Sequence, residues 1–322
     1  MTDTLLLGFP EYAPPARRLA AALNCPYREV DVHRFPDGES KLRLPTELPE
    51  RVIICRSLDH PNDKLIELLL TAETARAAGV ACLDLVTPYL CYMRQDCAFN
   101  PGEAVSQHII GRWLAGLFDG VITVDPHLHR VHQLDKVLPA KRSISLSAGP
   151  LLAAFFRDHV RDAVLVGPDA ESRQWVAHIA ELCGMEYVVA EKQRHSDREV
   201  HITLPPCNLQ GRTTVIVDDV ASTAHTLAAA ARLLRDGGAA AVHCCVTHGL
   251  FVDDAESQLR DAGVDQVWST DSVIHTSNVI ELAGILAAAI EEGAPDLHIF
   301  RRGRCVRLTC LALTTARGAI LL

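Results

Sequence analysis

Asp218 and Asp219 stand side by side at the end of an apolar run in "VIVDDVASTAHTLAAAARLL" (215–234). Small hydroxyl residues and an Ala-rich helical stretch follow at once. Adjacent carboxylates repel, so a chain with no use for both would place one elsewhere. One reading is a polar strand-to-helix turn with Ser222 or Thr223 as N-cap. The other is a sugar-phosphate loop. Hydroxyls and backbone N–H groups at the helix start would hold a phosphate, and the carboxylates would accept hydrogen bonds from ribose hydroxyls.

Further groups with chemical capacity lie at the ends of other apolar runs. "PYLCYMRQD" sets Arg94, Gln95 and Asp96 at the carboxyl end of a strand-like run, where open α/β sheets bind ligands. A planar guanidinium there donates to two anionic oxygens at once, whereas the plainer reading is a surface Arg–Asp pair. "VITVDPHLHRVH" offers His127, His129 and His132. Their i, i+2, i+5 spacing shares no helix face, which argues against a zinc site built from them. Asp169 follows the run in "VLVGPDAES", and "AEKQRHSDREV" brings Lys192 and Arg194 into a polar stretch that also reads as a surface charge cluster. "RFPDGESKLRL" places Phe35, Asp37 and Glu39 around a Pro-Asp-Gly turn between alternating residues, the pattern of a hairpin.

The elements that must position these groups alternate along the chain. "RVIIC", "ACLDLVTPYL", "GVITVD", "DAVLVGPD", "MEYVVAE", "TTVIVDD" and "AAVHCCVTHGLF" are short, apolar and β-branched, with helix-period or turn segments between them. This predicts an α/β protein with mostly parallel, buried strands. Residues 52–90 and 215–251 repeat one plan of strand, polar loop, helix and strand. Gly79 in one copy, and Gly237 or Gly238 in the other, supplies the helix C-cap. The copies differ where chemistry would sit, since Arg56-Ser57 occupies the place of Asp218-Asp219. A boundary is expected near "SISLSAGPLL", giving domains 1–146 and 147–303 and a tail, 304–322, that could pack on the first domain.

Length and composition agree. A chain of 322 residues holds two ordinary domains, and 48% hydrophobic with 22% charged residues suits a globular protein. A net charge of −9 argues against nucleic acid as the main ligand. No apolar run reaches membrane-spanning length, and the N-terminal residues lack signal-peptide features. Eleven scattered cysteines without a CxxC read as reduced core thiols, so a cytoplasmic protein is expected.

Taken in order, these motifs resemble ribose-phosphate diphosphokinase (phosphoribosyl pyrophosphate synthetase) over roughly residues 5–303, closer to archaeal-type members. The resemblance implies two tandem type I phosphoribosyltransferase-like domains and a homo-oligomer, at least a dimer. The Phe35, Asp37 and Glu39 hairpin would enter the adenine pocket of a neighbouring subunit. Arg94, Gln95 and Asp96 would bind ATP. His127 and Asp169 would hold Mg²⁺, while His129 and His132 would be surface residues. Lys192 and Arg194 would close over the transferring phosphoryl group. Asp218 and Asp219 would take the ribose hydroxyls of ribose 5-phosphate, and Ser222, Thr223, Ala224, His225 and Thr226 its phosphate. His225 stands where the family usually has glycine, so the expectation is either a less strained loop or an added imidazolium contact.

The implied reaction is diphosphoryl transfer from Mg-ATP to the 1-hydroxyl of ribose 5-phosphate. Two alternatives stay open. One is a catalytically weak paralogue that regulates a true synthetase. The other is a type I phosphoribosyltransferase, which would not need the Phe35 hairpin, Arg94-Gln95 or Lys192/Arg194.

Overall fold

The computed structural model describes residues 4–128, 130–131, 133–194 and 200–292, with backbone only at 192–194 and 200–202. The first half runs β1 (Thr4–Gly8), α1 (Ala13–Ala22), β2 (Tyr27–Glu29), β3 (Asp31–Arg34), β4 (Ser40–Arg43), β5 (Arg51–Cys55), α2 (Pro61–Ala77), β6 (Cys82–Val86), α3 (Ser106–Leu117), β7 (Gly120–Val124) and β8 (Arg142–Leu146). Its sheet has the order β2-β1-β5-β6-β7-β8 and every pairing in it is parallel. β3 and β4 form a separate antiparallel hairpin.

The second half begins with α4 (Gly149–His159) and continues β9 (Val164–Gly167), α5 (Arg173–Cys183), β10 (Glu186–Val189), β11 (Glu191–Arg194), β12 (Val200–Thr203), β13 (Thr213–Ala221), α6 (His225–Asp236), β14 (Ala241–Gly249), α7 (Ala255–Asp261), β15 (Gln266–Thr270), β16 (Asn278–Ile280) and α8 (Ala283–Glu291). This sheet, β10-β9-β13-β14-β15-β16, is again parallel throughout and has the same strand order as the first. The antiparallel β11–β12 hairpin leaves the second half at the point where β3–β4 leaves the first. The two hairpins are counterparts, a correspondence that their sequences do not show.

Continuous apolar runs form these strands because both faces are covered. Leu6, Ile53, Cys55, Val86 and Val124 on one sheet and Leu165, Val215, Val217 and Cys245 on the other contribute to one shared central core with α1, α4, α5 and α8. The outer face of each sheet has its own core, under α2 and α3 on one side and under α6 and α7 on the other. α8 returns to pack on α1 of the first half. Tyr12 Oη donates to the Asp271 carbonyl at 2.6 Å, and Arg18 meets the Asp271 carboxylate at 2.8 Å. These bonds join the halves at the central layer.

The repeat seen in the sequence extends to side chains. In the last turn of α2, Arg76 binds the carbonyls of Val80 and Ala81 and pairs with Asp119 at 2.6 Å. Asp119 also accepts the Leu83 amide of β6. Arg235 of α6 binds the carbonyls of Ala239 and Ala240 and pairs with Asp265 at 2.6 Å, which accepts the Val242 amide of β14. Gly79 and Gly238 take positive φ, 93° and 87°, just past their helices, as a left-handed C-cap requires.

Some boundaries differ from expectation. "ACLDLVTPYL" is a strand only over Cys82–Val86, because Pro88 has no N–H for the ladder. Arg94 therefore lies on the loop eight residues beyond the strand, not directly at its end. The expected tail, 304–322, lies outside the described residues.

Candidate active site

β13 ends at Ala221, and Asp218 and Asp219 are carried on its last turn of pleat. The Asp219 amide donates to Asp218 Oδ1 at 3.0 Å. Burial pushes the Asp218 carboxyl well above the usual range, and the charges of Asp219 and then Asp169 push it further. Three carboxylates from two strand ends thus bear on one another.

The chain leaves β13 through Ser222 and Thr223 and enters α6 at His225. Neither Ser222 nor Thr223 is the N-cap. That position belongs to Ala224, and no side chain caps α6 among the described residues. Ala224 also carries the left-handed backbone, φ 60°, whereas His225 is the first helical residue. The left-handed residue of this loop is therefore Ala224, and His225 sits in helical backbone, as a less strained loop would have it. Residues Asp218 and Val220–Leu227 line a concave pocket of about 130 Å³ at this helix start. Its open backbone N–H groups and the helix dipole make it suited to an anion.

His127 comes from the first half. After β7 the chain turns through Asp125, φ 39°, and His127 Nδ1 lies 2.6 Å from Asp219 Oδ2 across the seam between the halves. Asp169 follows β9 and its Oδ1 accepts the amides of Glu171 and Ser172 at 3.0 and 3.3 Å. His127, Asp219, Asp218 and Asp169 are thereby linked in series by contact or by charge.

Beneath them lies a buried polar layer that the sequence reading missed. Asp125 accepts the Ala148 amide and the Thr247 hydroxyl, each at 3.0 Å, and burial pushes its carboxyl up to about 7. His248 and Ser272 complete the layer. "VTHG" was available as a signal, being a His-bearing strand end in the same register as "VDDV", but it was read only as an apolar run.

Other expected groups stand around this centre. Arg94 is exposed, and its charge and that of Asp219 both act on the Tyr89 phenol, which burial pushes upward. Gln95 donates to the Cys97 carbonyl at 3.0 Å. Asp96, its side chain only 4% exposed, forms an ion pair with Arg130. Phe35 is 40% exposed at the tip of the β3–β4 hairpin, where the Glu39 amide donates to Asp37 Oδ1 at 3.2 Å and Gly38 turns at φ 93°. This hairpin rests on α2 through Ser40 and Glu67, 2.8 Å apart, rather than on the strand ends of its own chain. Lys192 and Arg194 sit on β11, opposite Ile202 and Val200, and their side chains lie outside the described residues. His129 and His132 do too.

The fold and the sequence as a whole have counterparts. A crystal structure of phosphoribosylpyrophosphate synthetase from Mycobacterium smegmatis superposes with a TM-score of 0.77 at 23% identity, covering 91% of this chain and 100% of that one, a likeness of fold. Residues 6–116 match the family model for the N-terminal domain of ribose phosphate pyrophosphokinase, and residues 148–283 match the phosphoribosyl transferase domain. The ribose-phosphate pyrophosphokinase of Methanopyrus kandleri is 35% identical over 89% of this chain and 98% of its own length. Those of Thermoplasma acidophilum and Methanothermobacter thermautotrophicus are 31% and 30% identical, over 83% and 89% of this chain and 92% and 100% of theirs. With both halves matched in order and relatives at 30–35% identity matched over most of their length, the chain belongs to the ribose-phosphate pyrophosphokinase family.

Proposed function

We propose that the protein transfers the diphosphoryl group of Mg-ATP to the 1-hydroxyl of ribose 5-phosphate, giving 5-phosphoribosyl 1-diphosphate and AMP. The observation that carries this is the contact of His127, from the first half, with Asp219 beside the α6 pocket of the second. It sets a nucleotide-side group against a ribose-side group at one point. In this division, residues 1–146 supply the ATP side and residues from 147 onward the ribose 5-phosphate loop.

Asp218 and Asp219 accept hydrogen bonds from the ribose 2- and 3-hydroxyls. The hydroxyls of Ser222, Thr223 and Thr226, with the backbone N–H groups from Ala224 and His225 onward, hold the 5-phosphate at the start of α6. Arg94 and Gln95 bind the triphosphate, and Asp96 supports that loop through Arg130. Phe35, Asp37 and Glu39 face outward to serve a neighbouring copy's adenine, which makes the working form a homo-oligomer. Lys192 and Arg194 stabilise charge developing as the ribose hydroxyl attacks the β-phosphorus in line, a reaction that depends chiefly on positioning and electrostatics.

The donor set fits a Mg²⁺ ion. Hard oxygen donors predominate, and the upward pressure on Asp218 marks a concentration of negative charge that a divalent cation relieves. Among the described residues no three His, Cys, Asp or Glu groups form a cage, so phosphate oxygens and water would complete the shell around His127 and Asp169. Bound Mg²⁺ would neutralise and align the phosphates. The Asp219 carboxylate, 2.6 Å from His127 Nδ1, accepts from that nitrogen and fixes the orientation of the ring.

The test is to incubate purified protein with ATP, Mg²⁺ and ribose 5-phosphate and follow AMP. Turnover is expected, and Lys192→Ala and Arg194→Ala should each lower kcat on the order of 10²–10³-fold. An inactive wild type that His225→Gly restores would instead support the regulatory paralogue. Consumption of 5-phosphoribosyl 1-diphosphate with a base, and no AMP from ATP, would support the phosphoribosyltransferase.

A further inference from the structure

The turn that aims His127 at Asp219 is a strained one. Asp125 is a non-glycine residue at φ 39°, and such a conformation persists only where surrounding bonds over-determine it. The neighbouring strand β8 supplies one bond, from the Asp125 amide to the Leu146 carbonyl at 2.8 Å. Most of the rest comes from the other half. Thr247 Oγ1 donates to the Asp125 carboxylate, and the His248 ring reaches the carbonyls of Val124 and Asp125 with Nε2 at 3.1 and 3.2 Å.

The protonation of His248 follows from its partners. Carbonyl oxygens only accept, so Nε2 carries the proton. Burial drives the imidazole pKa down to about 4, so the ring is neutral at physiological pH and Nδ1 is an acceptor. Ser272 Oγ lies 2.8 Å from Nδ1 and also 2.8 Å from the Thr247 carbonyl. That carbonyl also accepts the Thr270 hydroxyl at 2.6 Å. With Nε2 protonated and the ring neutral, Nδ1 needs a donor, and the Ser272 hydroxyl is the group in reach. Ser272 thereby selects the tautomer that can bind the turn. Tyr89 packs edge-on against the ring at 5.0 Å.

His248 is also tied to the other end of the His127–Asp219 contact. It sits on β14 opposite Val220 of β13, the residue after Asp219. A closed circuit results. Asp219 leads through the β13–β14 ladder to His248, from there to the turn at Val124–Asp125, on to His127, and back to Asp219. We infer that His248, set by Ser272 and helped by Thr247, is a positioning residue that fixes the separation of the nucleotide-side and ribose-side groups. The inference rests on the proposed roles of His127 and Asp219, but its test does not need them to be right.

His248→Phe fills the volume and removes the donor; His248→Gln restores an N–H near the Nε2 position. With His248→Phe, kcat should fall about ten- to a hundredfold, the range seen when groups orienting a ligand are lost. KM for ATP and for ribose 5-phosphate should each stay within about threefold, and His248→Gln should recover most of the kcat. Without substrates, ¹⁵N–¹H spectra should show the His127 Nδ1 proton, downfield in the wild type through its bond to Asp219, shifted or lost in His248→Phe and present in His248→Gln. A folded His248→Phe protein, checked by circular dichroism and melting, with wild-type kcat and an unchanged His127 signal would overturn the inference. Should His248→Phe not fold, the near-isosteric Thr247→Val carries the same two readouts, with a several-fold loss of kcat expected and no change in either refuting it. Failure of the wild type to make AMP would refute the proposed reaction, while the His127 signal would still decide the positioning role.

Discussion

Where β5 ends, Arg56 turns inward and lies 1% exposed, paired with Glu67 and, at 2.7 Å, with Glu11, its guanidinium 3.7 Å from the centroid of the Phe9 ring. Where β13 ends, the corresponding strand of the other half carries Asp218, which lines an open pocket, and Asp219, which meets His127. Below both ends the same arginine clamp holds the same helix to the same strand. One half thus fills the space beyond its strand with a side chain that satisfies its own charges. The other leaves carboxylates pressing on one another. The fold does not distinguish a ligand site from a structural plug; charge compensation does.

The two halves titrate in opposite directions. Burial alone would push Glu67 up, but the hydrogen bond and charge of Arg56 bring it below the ordinary glutamate value. Asp218 is pushed up by burial, then by Asp219 and Asp169. Glu67 therefore contributes stability above its unfolded pKa, and that stability is lost as pH falls through the folded value. The contribution of Asp218 is present below its unfolded pKa and lost as pH rises through its raised one.

The comparison can be broken most sharply at Arg56. Arg56→Met should cost about 3 kcal/mol in urea unfolding, because buried Glu67 is left with Ser40 and the half-exposed Arg34, 3.4 Å away, in place of its buried guanidinium. Adding Glu67→Leu should recover more than half of that. A single variant within 1 kcal/mol of wild type would show that the first half is not plugged by charge pairing.

Asp218→Asn should act in two directions. Loss of a charged acceptor for ribose should lower kcat/KM by about 1.5–3 kcal/mol, tenfold or more. The melting temperature should rise relative to wild type at pH 8, with the gain vanishing toward pH 4. A variant destabilised at pH 8 would mean that these carboxylates are structural, like Glu67.

The matched clamps provide a control. Arg76→Leu and Arg235→Leu should each cost about 1–3 kcal/mol, with Arg76→Leu the milder, since Asp119 keeps Lys141 at 2.6 Å. Chemical denaturation of the pair would refute the equivalence if only one variant were affected. The smallest effect is expected at Ala224, whose φ of 60° suits glycine. Ala224→Gly should stabilise by about 0.5–1 kcal/mol, read as a small rise in melting temperature.

Much of this was legible from the chain because parallel strands buried on both faces are written as short apolar runs, and chemistry collects at their carboxyl ends. The repeat was visible for the same reason, down to the glycines past α2 and α6. What was not legible arises from pairs distant in sequence. Nothing local to Asp125 announces Thr247, and nothing near "HCCVTHG" announces a bond to Val124. The left-handed φ at Ala224 was not legible either, because it depends on where α6 begins, and neither Ser222 nor Thr223 caps it. The β3–β4 and β11–β12 hairpins share a place in the topology but no residue pattern.

The bond from Tyr12 to Asp271 has a kinetic consequence. Its partners are 259 residues apart, so Tyr12 and the α1 that follows it are made long before Asp271 at the end of β15 exists. At about 5–20 residues per second, the inner face of α1 waits roughly 13–50 s on the ribosome for its partner. The shared central layer can close only once α8 has been made, and until then the apolar inner side of the first sheet lacks its cover.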